Sequence, residues 1–108
     1  MYLLETHGDL SVVTDYSGGA LDSGGQPPDI VTMNKSHSSH FTDYTNPATT
    51  HVLRGWGRKG KAAEIDLDLG EMLIRNVTTD RRGYGGVVPD GNSIFIFEVA
   101  GLCIGHFG

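Results

Sequence analysis

The chain has 108 residues with 8 Lys and Arg against 13 Asp and Glu, a formal charge of −5, so it holds at most one small domain with a modest core. Its basic residues are scattered except at Arg58-Lys59-Gly60-Lys61 and Arg81-Arg82, which excludes a face that could follow a nucleic-acid backbone. No apolar run reaches the ~18 residues of a membrane helix; the single Cys103 rules out an intrachain disulfide and, with no signal-peptide pattern at the N-terminus, predicts a cytoplasmic location.

Sixteen glycines and four prolines predict many turns and short strands. Tyr2 to Thr6 and Leu10 to Thr14 flank His7-Gly8-Asp9 and read as a hairpin, with Gly supplying a left-handed position. Asp15 to Pro28, with Gly18-Gly19, Gly24-Gly25 and Pro27-Pro28, reads as a loop. Asp15 at its start is first a turn-initiating carboxylate and second a side chain facing a site.

Ile30-Val31-Thr32-Met33 is a short apolar strand that breaks at Asn34 into Lys35-Ser36-His37-Ser38-Ser39-His40. A buried strand delivering polar side chains at its carboxyl end is where sites in layered folds lie. After Asn46-Pro47, His51 to Arg54 resumes as a strand ending at Gly55-Trp56-Gly57, where Trp56 reads as a loop anchor before a pocket wall. Lys61 to Asp68 and Glu71 to Thr79 flank Leu69-Gly70 as a second hairpin with one dry face. Asp80, Arg81 and Arg82 follow, and Gly85 to Gly91 reads as a long flexible loop. Asn92 to Val99 is continuously apolar and predicts a strand covered on both faces. Ala100-Gly101 turns it into Leu102 to His106, a third hairpin.

Two segments, Asp29 to His40 and Asn92 to Gly108, resemble metallo-β-lactamase-fold hydrolases of the sugar-phosphate lactonase-like branch. The fold class this implies is α+β and predominantly β: one half of an αββα sandwich, built from hairpins with little helix, occupying residues 1–108 as a partial domain. The family loop His-x-His-x-Asp-His falls here on Lys35, His37, Ser39 and His40, so two of four ligands match. The resemblance also implies a leading strand with a Gly-His pair, a later bridging Asp, and a His ligand near Asp80 and Arg81.

In such folds one or two zinc-like ions acidify a bound water. Lys35 places a positive charge where an imidazole belongs and Ser39 lacks a carboxylate, so the expectation is a degenerate or incomplete site. One zinc, manganese or iron ion would be held by His37 and His40 with a third ligand from Asp80 first or His106 second, or there is no ion. Asp80 and Arg81 also read as a solvated loop pair, or as substitute ligand and anion binder. Ser36, Ser39, His40 and Asp43 supply the residue types of a nucleophile, base and orienter, but no Gly-x-Ser-x-Gly elbow accompanies them. Two functions follow. One is a metal-dependent hydrolase-like protein, inactive as this chain, whose partner class is a small-molecule substrate. The other is a non-catalytic β-rich binding or self-assembly module, homo-oligomeric through exposed strand edges.

Overall fold

The computed structural model describes residues 2–8, 10–18, 27–37, 40–58, 61–83 and 86–107. These form eight strands and no helix. β1 (Tyr2–Glu5), β2 (Ser11–Thr14), β3 (Ile30–Met33) and β4 (His51–Arg54) make one sheet in that order; β5 (Asp66–Asp68), β6 (Met72–Gly83), β7 (Gly86–Val99) and β8 (Leu102–His106) make the other. The expectation of a predominantly β chain with little helix holds.

In the first sheet β1 and β2 are antiparallel, whereas β2, β3 and β4 run parallel. Parallel neighbours need long crossovers, and residues 15–29 and 34–50 provide them. Asp29 aligns the three parallel starts. Its carboxylate accepts from the Ser11 amide at 2.9 Å, and its carbonyl accepts from the amides of Thr50 and His51 at 2.9 and 3.1 Å. Each bond satisfies a backbone group that the strand ends would otherwise leave open.

β2 and β3 are buried along their whole length. Alternation sends Val12 and Ile30 toward the second sheet, where they pack with Met72, Ile74, Phe95 and Phe97. It sends Val13, Val31 and Met33 outward under Tyr16, Phe41 and Trp56. The Phe41 and Trp56 rings meet edge to face at 5.6 Å, so Trp56 serves as the loop anchor expected of it.

Four local expectations change. Gly8 is not left-handed; a Cβ there would meet the Glu71 carboxylate at 2.3 Å, and Glu71 instead accepts from Thr6 Oγ1 at 2.6 Å, tying the first hairpin to the second sheet. The strand drawn from Lys61 is paired only from Asp66 to Asp68. Ahead of it the Asn76 side chain replaces the ladder, accepting from the Ile65 amide and donating to the Ala63 carbonyl. The loop drawn over 85–91 is, from Gly86, part of β7, paired Arg81 to Val88 and Arg82 to Val87; Gly85 lies outside the described residues. Pro89, which lacks an N–H, falls where the register shifts between Thr79 and Arg81, so no ladder bond is lost. β7 is not covered on both faces either: Ser93, Phe95 and Phe97 are buried while Ile94, Ile96 and Glu98 are half-exposed. Residues 19–26 of the loop after Asp15 lie outside the described residues.

The third hairpin turns as expected on Ala100 and Gly101, with φ of 50° and 81°, the pair of left-handed residues that a two-residue turn requires.

Candidate functional site

The carboxyl ends of β2 and β3 and the end of β8 converge. Asp15 leaves β2 with φ of 56°, a conformation that is costly for a side-chain-bearing residue. This directs its carboxylate to His40, whose Nδ1 lies 2.5 Å from Asp15 Oδ1. Both side chains are largely buried, 14 % and 20 % exposed. With the carboxylate accepting from Nδ1–H, Nε2 of His40 carries the free lone pair. The His40 amide donates to the His37 carbonyl at 2.7 Å, closing the turn, and the two imidazoles meet edge to face at 5.8 Å.

His106 ends β8 on the other side of this neighbourhood, with its ring edge-on to Tyr2 at 5.8 Å. Asn34, fully buried, fixes it. The Asn34 amide nitrogen donates to the carbonyls of Ser93 at 2.7 Å and His106 at 3.1 Å. Its Oδ1 therefore accepts, from His106 Nδ1–H at 3.1 Å, and Nε2 is the unprotonated nitrogen of the neutral ring. Burial holds the His106 pKa below its usual 6.5; the Asp15 carboxylate acts in the opposite direction and His40 adds to the lowering. Asp15, His40 and His106 are thus close enough to influence one another. Asp15 and His106 line an open cleft of 830 Å³ whose apolar walls include Leu3, Leu4, Phe97, Ile104 and Phe107.

Asn34 belongs to a buried polar junction between the sheets. Ser93 Oγ donates to the Gly55 carbonyl at 2.7 Å and accepts from Asn76 Nδ2 at 3.0 Å, while the Ser93 amide donates to the Asn34 carbonyl at 2.9 Å. Only glycine fits at 55, because a Cβ would lie 2.5 Å from the Asn34 carbonyl oxygen. Sequence reasoning missed Asn34 and Ser93 as positioning residues. The available signal was a polar residue at the end of one apolar strand and another near the start of a second.

The remaining expected site residues are placed differently. Lys35 forms an isolated antiparallel bridge with Asn92. Ser39 lies outside the described residues. Asp80 is exposed at the bulge of β6, where it accepts weakly from the Asp90 amide at 3.4 Å and lies 4.0 Å from Arg82. Arg81 Nε is buried without a hydrogen-bond partner.

The donor set decides how far these residues fit the ion that the resemblance implies. Among the described residues no three His, Cys, Asp or Glu side chains group as metal ligands, and a catalytic zinc needs three from the protein. Asp15 and Asn34 hold Nδ1 of His40 and of His106, which leaves Nε2 of each ring able to bind an ion, but no third donor joins them among the described residues. The described side chains do not fit a resident catalytic ion.

Fold and site together define a two-sheet layered domain with a histidine and carboxylate cluster at its strand ends. A family model described as a beta-lactamase superfamily domain matches residues 1–108, and the chain belongs to that family. The resemblance carried by Asp29 to His40 and Asn92 to Gly108 is thereby supported over the whole length. No curated protein gives a significant match to the chain. No helix among the described residues is long and apolar enough to cross a membrane.

Proposed function

We propose that this chain is a degenerate member of the metal-dependent hydrolase group of its family, a partial domain with an incomplete site that does not turn over substrate as it stands. The observation that carries the reading is the His40–Asp15 pair: the imidazole that matches the family loop is held by a carboxylate, yet no three-donor group surrounds it among the described residues. Lys35 and Ser39 at two positions of the loop point the same way. His37 and His40 are the surviving members of the ligand loop in this reading, and no third donor joins them among the described residues. Small-molecule binding and a cytoplasmic location belong to the same proposal.

Elemental analysis of protein purified without chelator tests it. We expect well below one divalent ion per folded chain, and that residue of metal to disappear in His40→Ala. One ion per chain that survives dialysis would overturn the reading and justify a hydrolase screen.

A second reading, a non-catalytic assembly module, is favoured by a separate observation: β8 is an open edge bearing exposed Leu102 and Ile104.

A further inference from the structure

The two sheets have four edge strands among the described residues, and their charges differ. β5 carries Asp66 and Asp68, β4 carries Arg54 and β1 carries Glu5, whereas β8, Leu102-Cys103-Ile104-Gly105-His106, carries no Lys, Arg, Asp, Glu or Pro. Charges and prolines on an edge are the usual means of keeping another strand from pairing with it. On β5 the two carboxylates would face like charges in a second copy, which opposes pairing there. Only β8 lacks such protection.

The ladder shows what β8 offers. Ala100 and Gly101 form a two-residue turn, so Val99 and Leu102 close the hairpin as a hydrogen-bonded pair. Alternation along an antiparallel ladder then directs the backbone groups of Leu102, Ile104 and His106 to β7 and those of Cys103 and Gly105 to the open edge. The Leu102 and Ile104 side chains share the face of Phe97 and Val99. They remain 67 % and 39 % exposed, and among the described residues β1 is the outermost strand of the first sheet.

We propose that β8 pairs antiparallel with β8 of a second copy about a two-fold axis at Ile104, joining the two second sheets into one; this deepens the assembly reading. In that register Cys103 and Gly105 exchange backbone bonds with Gly105 and Cys103 of the other copy, and Ile104 meets its own counterpart in a non-hydrogen-bonded pair, where side chains approach most closely. Leu102 lies opposite His106, so no charged side chain faces a like charge. Tyr2, 65 % exposed against His106, extends the apolar strip, and Phe107, 69 % exposed, lies over Gly105 at the same edge. Covering these four side chains removes on the order of 400 Å² per copy, taking ~150–250 Å² for a whole aromatic. With the backbone edge added, two copies approach the ~1,000 Å² that a specific interface requires.

Sedimentation equilibrium of the unaltered chain should give a dimer, and Ile104→Lys, which sets two ammonium groups against each other, should weaken it by at least about tenfold. Val87→Lys, at a residue 51 % exposed that pairs with Arg82 and lies beyond the reach of β8, should leave the dimer unchanged. A register test stands apart from any loss of fold: Ile104→Cys in a Cys103→Ser background should oxidise to a covalent dimer, because that pair is the close one. A monomer throughout the concentration range, a dimer indifferent to Ile104→Lys, or no covalent dimer from Ile104→Cys would each overturn the proposal. Metal content is read independently of all three, so failure here leaves the incomplete-site reading untouched.

Discussion

In the first sheet β2 and β3 are buried on both faces, between the second sheet on one side and Tyr16, Phe41 and Trp56 on the other. In the second sheet β6 and β7 turn one face to the core and the other toward water. The doubly covered strands end in the polar residues of the site, Asp15 after β2 and Asn34 to His40 after β3. The second sheet supplies part of the cleft wall and, at β8, the unprotected edge. Covering both faces of a short strand leaves only its ends for chemistry, whereas a half-covered sheet has edges free for association.

The comparison can be broken most strongly where the sheets share a core. Phe97→Ala should cost about 3–5 kcal/mol, because the ring is fully buried in the cluster that joins Val12 and Ile30 to Met72 and Ile74. Urea unfolding followed by Trp56 fluorescence, on the first-sheet side, should show the same loss as backbone circular dichroism. Two separate transitions would mean that the sheets are independent.

A smaller effect sharpens the role of the polar junction. Asn34→Ala leaves the Ser93 and His106 carbonyls without their donor and should cost about 1–3 kcal/mol. It should also free the His106 ring, visible as a changed imidazole resonance. An unchanged resonance would show that Asn34 does not position it.

The smallest effect is a pH dependence. His106 is held below 6.5 by burial, so above that value both folded and unfolded rings are neutral and the contribution is flat. Below it the unfolded chain takes up a proton that the folded chain resists, and stability falls as pH falls. Denaturant midpoints at about pH 7.5 and 5.5 should therefore differ more for the unaltered chain than for His106→Gln. An equal difference would remove His106 from the account.

The second and third hairpins were legible because each turn carries a left-handed glycine, Gly70 and Gly101, with φ of 83° and 81°. The second nevertheless turns on Gly70-Glu71 and not on Leu69-Gly70, Leu69 pairing with Met72. β3 was legible as a buried strand from four apolar or β-branched residues in a row. The outer part of β6 and β7 was not, since Gly-rich sequence with a proline reads as loop unless one knows that a bulge will receive Pro89. In the site, the histidine loop and Asp15 could each be named, but their pairing could not. Asp15 lies 25 residues before His40, across a crossover whose path no local pattern specifies. Asn34 and Ser93 were hidden for a related reason: each is a polar interruption of an apolar run, and only the stacking of the sheets turns the two interruptions into one hydrogen-bonded junction.

The clasp that Asp29 makes across the starts of β2, β3 and β4 has a kinetic consequence. It can close only after two long crossovers have found their places, whereas β6, β7 and β8 are sequence neighbours joined by short turns. Contacts between distant residues form more slowly than local ones. The part of the chain that leaves the ribosome first is therefore the part with the longer search, and it completes that search against a surface synthesised after it.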